Sequence, residues 1–199
     1  MGRAAAVTGL SQRGASVCQS VLGSAMKRLY LLRHAKSSWD DPSVPDFERP
    51  LNRRGRKAAK AMAKYFQEAG IHPAMVLCSP SSRTRETLDL MAPALDDVPV
   101  RFDNRIYEAS SSALLACLQA LPADVPSVLI IGHNPGLEHL AHALADQTEA
   151  ERALARLREK FPTGSLAVLA TPLDHWNRLT DGACRLETFV CPADLDGGE

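Results

Sequence analysis

The sequence predicts an α/β fold: a single domain with a mostly parallel β-sheet flanked by helices on both faces. Three observations lead there. Short apolar, β-branched runs alternate along the chain with segments of helical period, as in successive βα units. Charged or polar motifs directly follow three of those runs, where a parallel sheet would present them at the carboxyl ends of its strands. The chain has 199 residues, 45% of them hydrophobic, which suits one core.

The elements follow in order. Leu29 to Leu32 is an apolar run that ends at Arg33 and His34. Residues 35 to 51 hold three prolines and several Asp and Ser, and read as a long functional loop. Ala59, Met62, Ala63 and Phe66 recur at helical spacing, with Gly70 placed as a stop. Ala74 to Cys78 is the next strand, Pro80 breaks it, and a helix runs from Ser82 to Met91. Val98 to Phe102 is a third strand, and Leu114, Leu115 and Leu118 mark a short helix. Ser127 to Ile131 is the most β-like run and leads into Gly132-His133-Asn134-Pro135-Gly136. Leu137, Leu140, Ala141 and Leu144 share one helical face, and a further helix spans Glu149 to Lys160. Leu166 to Ala170 and Arg185 to Val190 close the domain as strands, with an extra strand expected at Trp176 to Leu179. The expected domain is 27–191, with an N-terminal extension at 1–26 and a tail at 192–199.

Composition excludes some functions. Lys plus Arg equals Asp plus Glu at 23 each, so the formal charge is zero and no global field draws the chain to nucleic acid or an anionic membrane. No apolar stretch approaches the ~20 residues of a membrane helix. The five cysteines are odd in number and lack CxxC spacing, against a disulfide framework or zinc site and in keeping with reduced thiols in the cytoplasm. The first 25 residues are rich in Ala, Gly and Ser, with Arg3, Arg13 and no acid. A transit peptide has that composition. A dispensable tail, or translation starting at Met26, is the preferred reading.

Three motifs carry the chemistry. Arg33-His34 is delivered to the sheet rim by its strand; alone, such a dipeptide is also an ordinary surface pair. His133 arrives at a strand end before a turn whose helix N-terminus offers free amides to an anion; its bland alternative is a core histidine. In Ser79-Pro80-Ser81-Ser82-Arg83, Arg83 falls in the first turn of a helix, against the helix dipole, at a cost of about 0.3–1 kcal/mol. A residue placed against a local rule calls for a functional reason, and guanidinium groups clamp phosphate oxygens. His139 and His142, spaced as a ligand pair, lack a third ligand and are given no role.

Taken together, LYLLRHAKSSW, SPSSRTRET and IIGHNPG resemble the histidine phosphatase superfamily, with its phosphoglycerate mutase-like fold. RHAKS and the following DFERPLNRRG are most similar to the SixA type of phosphohistidine phosphatase. The resemblance spans about Lys27 to Val190. It implies that His34 is the nucleophile that becomes phosphorylated, that Arg33 and Arg83 hold phosphoryl oxygens, and that His133 completes the pocket. Ser37 is included as a phosphate contact, and Glu108 in RIYEAS matches the family's general-acid position, with a solvated loop carboxylate as its alternative. No metal or cofactor is expected. The implied substrate is a phosphorylated protein, for example a histidine phosphotransfer domain, or a small phosphorylated molecule, acted on by a cytoplasmic monomer. A small-molecule phosphomonoesterase or mutase, and a non-catalytic phosphate- or partner-binding protein, remain as rival readings.

Overall fold

The computed structural model describes residues 26–147 and 151–195. The N-terminal extension therefore lies outside the described residues, save Met26. Six strands form one sheet: β1 (Lys27–Arg33), β2 (Val76–Cys78), β3 (Val100–Phe102), β4 (Ser127–Gly132), β5 (Leu166–Thr171) and β6 (Arg185–Val190), in the order β3-β2-β4-β1-β5-β6. β5 is antiparallel to both its neighbours and the other pairs are parallel, so five strands run one way and β5 runs against them. The helices are α1 (Arg53–Glu68), α2 (Ser82–Met91), α3 (Ser111–Gln119), α4 (Gly136–Leu144), α5 (Glu151–Glu159) and α6 (Pro192–Leu195). The last is a single turn within the expected tail. None of the described helices is long and apolar enough to cross a membrane.

Strand side chains alternate between two cores, as a pleat with period two requires. Leu29, Leu31, Leu77, Val128, Ile130, Ala167 and Leu169 face α3, α4 and α5. Tyr30, Leu32, Val76, Cys78, Leu129, Ile131, Leu166 and Val168 face α1 and α2, where Met62, Phe66, Leu88 and Met91 meet them. The central strands are covered on both faces, which is why they read as unbroken apolar runs.

The segment Trp176–Arg178 is a 3₁₀ helix, not the extra strand expected at Trp176 to Leu179. Trp176 is fully buried in the first core, and its indole N–H donates to the Val125 carbonyl at 2.8 Å. One anchored aromatic in a turn explains the apolar signal that suggested a strand. The expected helix at Glu149 to Lys160 is α5, and its first two expected positions lie outside the described residues.

Two close approaches fix the frame of the rim. Asn52 caps α1 by accepting from the Gly55 amide at 2.8 Å. A Cβ on Gly55 would lie 2.1 Å from the Lys36 carbonyl oxygen, so only glycine lets the first turn of α1 seat on the chain just after His34. Gly70, by contrast, is a C-terminal stop with φ of 61° and open space around it. Gly55→Ala should therefore cost about 3 kcal/mol in urea denaturation, the upper end for overpacking, and lower activity with it. Gly70→Ala should cost about 1 kcal/mol, the scale of one left-handed residue, with activity kept. Equal losses at the two positions would contradict this seating of α1.

Candidate active site

The register of three parallel strands builds the site. Arg33 pairs with Gly132 across β1 and β4, and Cys78 pairs with Ile131 across β2 and β4. The next residues, His34 and Ser79, thus emerge beside His133 and Gly132. The His34 amide donates to the Gly132 carbonyl and the Ser79 amide to the Ile131 carbonyl, both at 3.0 Å. His34, Ser79 and His133 meet there although up to 99 positions separate them in sequence (133 − 34). The His34 and His133 ring centroids are 5.1 Å apart.

His34 is 8% exposed and its Nδ1 lies 2.7 Å from the Ala35 carbonyl oxygen. A carbonyl only accepts, so Nδ1 carries the proton and Nε2 keeps its lone pair. Ala35 is itself fixed: its amide donates to the Thr87 hydroxyl at 3.1 Å, and that hydroxyl donates to the Arg83 carbonyl at 2.7 Å. Burial, with the charges of Arg83 and Arg33, pushes the His34 pKa down to about 4 against the opposing bond to Ala35. His133 is pushed down to about 3 by burial, His34 and Arg83. Its Nε2 is 2.8 Å from the Ser79 hydroxyl, while its Nδ1 is buried without a partner.

The cations are held by backbone and by one carboxylate. Arg33 Nη1 donates to the Phe161 carbonyl at 2.7 Å, leaving a buried Nε without a partner. Burial lowers the pKa of Arg33 and the charge of Glu138 opposes it; a guanidinium stays protonated regardless. Arg83 donates to Asp46 twice, to the backbone carbonyl and, at 2.9 Å, to Oδ2. Asp46 also accepts from the Tyr107 hydroxyl at 2.8 Å and from Arg49 at 3.1 Å. Burial raises the Asp46 pKa, but these bonds and the two arginine charges outweigh it and hold the carboxyl below its ordinary range. Arg49 lies over the Trp39 ring, 3.0 Å from its centroid, and Trp39 remains 75% exposed at the mouth.

The result is a pocket of about 240 Å³ whose lining includes Arg33, His34, Ser37, Asp46 and Arg83. The structure brings together Arg33, His34, Arg83 and His133 and puts Ser37 at the wall. Glu108 stands apart: it is exposed, with no hydrogen bond or ion pair to the described residues, at a left-handed φ of 49° beside Tyr107. At the start of α4, two amides are engaged with backbone: Leu137 and His139 donate to the carbonyls of His133 and Pro135. Asp46, Thr87, Ser79 and Tyr107 were not singled out for roles in the sequence. All four lie inside quoted motifs, Asp46 in DFERPLNRRG, Ser79 and Thr87 in SPSSRTRET and Tyr107 in RIYEAS, but no role attached to them there. Cys78, next to the site, is no rival nucleophile, because burial pushes its thiol up to about 12.

Residues 29–115 match the family model of the histidine phosphatase superfamily (branch 1). An uncharacterized protein of Mycobacterium tuberculosis is 35% identical over 164 residues, which cover 81% of this chain and 99% of the relative. The chain belongs to the histidine phosphatase superfamily. An uncharacterized chloroplastic protein of Arabidopsis thaliana is 36% identical over 183 residues, covering 85% of this chain and 79% of that one. Among solved structures, a phosphohistidine phosphatase SixA candidate from Nakamurella multipartitia superposes with a TM-score of 0.72 at 31% identity, covering 84% of this chain and 96% of that one. The phosphoglycerate mutase-like fold and the structural likeness to SixA expected from the motifs are thus both found.

The depressed histidine pKa values have a consequence for stability. An unfolded histidine titrates near 6.5, whereas folded His34 and His133 stay neutral until about 4 and 3. Below pH ~6.5 the unfolded state binds more protons, so stability falls with pH from there toward 3. Urea midpoints should be insensitive to these two groups above pH 7 and decline below 6.5. His133→Gln should decline less steeply than wild type; the same slope in both would show that His133 is not buried neutral.

Proposed function

We propose that this protein is a phosphohistidine phosphatase of the SixA type, hydrolysing a phosphoramidate on a protein through a phosphorylated His34. Nε2 of His34 attacks phosphorus and the bond from phosphorus to the substrate nitrogen breaks. The substrate imidazole, protonated before transfer, leaves neutral. Water then attacks the phosphorus, the bond to Nε2 breaks, and inorganic phosphate is released with His34 restored. Arg33, Arg83 and the unpartnered Nδ1 of His133 stabilise the charge on the transferring oxygens. Ser37 contributes a further polar contact at the wall.

The choice of leaving group rests on one observation. The carboxylate in the pocket lining is Asp46, which Arg83, Tyr107 and Arg49 keep ionised. Glu108, the acid that the family pattern suggests, makes no bond to the pocket. A site with no proton poised on a carboxylic acid favours a leaving group that needs none. Protonated imidazole is such a group and an alkoxide is not. The substrate would be a phosphorylated protein, with a histidine phosphotransfer domain as one form of it. We place the protein in the cytoplasm as a monomer; the buried, unpaired thiols of Cys78, Cys117 and Cys184 are in keeping with a reducing compartment.

A panel of phosphodonors tests this. Phosphohistidine and phosphoramidate should turn over at least ~100-fold faster, in kcat/KM, than alkyl or sugar phosphates, the lower scale of one acid–base contribution. Glu108→Gln should leave phosphohistidine turnover intact. A preference for sugar phosphates that Glu108→Gln abolishes would instead establish the phosphomonoesterase reading, with Glu108 as its acid.

A further inference from the structure

A second cavity, of about 310 Å³, adjoins the catalytic pocket and shares Lys36 and Thr163 with it. Lys36, Arg54 and Lys57 line it together with Ala58, Thr163 and Pro192, and among the described residues no carboxylate lines it. The charge is local, since the whole chain sums to zero. From Arg49 to Gln67 there are seven Lys and Arg and no Asp or Glu. Some are neutralised: Arg49 pairs with Asp46, Arg56 with Glu86 and Lys64 with Glu68. Among the described residues, Lys36 and Arg54 have no such partner.

Their position is set by the backbone. Gly55 seats the first turn of α1 on the Lys36 carbonyl, so Arg54 is carried to the chain segment two residues beyond the nucleophile. Gly164 lines up the floor: a Cβ there would come 3.0 Å from Pro192 and 3.6 Å from Ala58, and its amide donates to the carbonyls of Arg33 and His34. The cations thus border the phosphoryl pocket across the shared wall of Lys36 and Thr163. A phosphoryl group on His34 is already matched by Arg33 and Arg83, so the charges of Lys36 and Arg54 call for further anions on the same substrate.

We infer that this cavity is a subsite for carboxylates in the polypeptide that carries the phosphoryl group: acidic residues flanking the phosphohistidine bind against Lys36 and Arg54. The inference rests on the phosphoprotein reading above. A protein chain supplies such carboxylates at short, regular spacing on either side of the modified residue, and the shared wall lets one substrate occupy both cavities. Exposed charge pairs are each worth little, about 0.2–1 kcal/mol, so the subsite tunes specificity and is screened by salt.

The test uses two phosphohistidine peptides that differ only in their flanks, Asp and Glu in one and Ser and Gln in the other. Wild type should favour the acidic peptide about three- to tenfold in kcat/KM at low salt, the sum of two exposed pairs, and lose that preference near ~1 M salt. Arg54→Glu should abolish or reverse it. The readout is a ratio within one enzyme, so a general loss of activity cancels. Equal rates on both peptides in wild type, or an undiminished preference in Arg54→Glu, overturn the subsite and leave the phosphohistidine reading standing. Wild type that hydrolyses free phosphoramidate but neither peptide overturns the phosphoprotein reading and the subsite with it.

Discussion

The hydrogen bond from the His34 amide to the Gly132 carbonyl, 3.0 Å long, is the joint on which the site depends. It is the last rung between β1 and β4, and it forces His34 and His133 out of the sheet side by side. The matching bond from Ser79 to Ile131 brings the end of β2 in beside them. β1, β2 and β4 are buried on both faces, so a one-residue slip would exchange the two cores and is strongly resisted. Catalytic geometry is therefore inherited from core packing: Leu31 and Ile130 on one face, Leu32 and Ile131 on the other, fix the register that aligns the ends.

On that frame, electrostatics do the remaining work. Placing two imidazoles next to two guanidiniums, largely out of water, disfavours any further positive charge. The histidines yield and stay neutral. For His34 that is the reactive state, and the bond from Nδ1 to Ala35 decides which nitrogen carries the lone pair. Asp46 balances Arg83 in the absence of substrate and also offsets the misfit of an arginine at the start of α2. The same carboxylate joins Tyr107 and Arg49, so one loop residue ties the long segment after β1 to the rim of α2 and to the turn before α3.

Much of this was legible in the sequence. Periodicity gave the strands and helices because each buries a face with its own period, and the motifs at strand ends gave His34, Arg33, Arg83 and His133 because parallel strands align their carboxyl ends. The direction of β5 was not legible: Leu166 to Thr171 is buried on both faces, and such a run reads alike either way. Nor was the turn at Trp176, where one buried indole imitates a strand. Asp46 and Thr87 sit in the quoted motifs without a role, because their roles are contacts made across 37 and 52 positions, to Arg83 and to Ala35. No local pattern encodes those. Glu108 shows the converse, a residue that matches a motif position yet stands clear of the pocket's hydrogen bonds.

The central claim is that His34 is a neutral nucleophile that reacts through Nε2. It is tested most directly by trapping the phosphorylated protein after brief exposure to phosphoramidate and examining it by phosphorus and nitrogen NMR. The account predicts a single acid-labile phosphoryl group bonded to Nε2 of His34, absent in His34→Ala. Phosphate on Nδ1, on another residue, or equally on wild type and His34→Ala would contradict it.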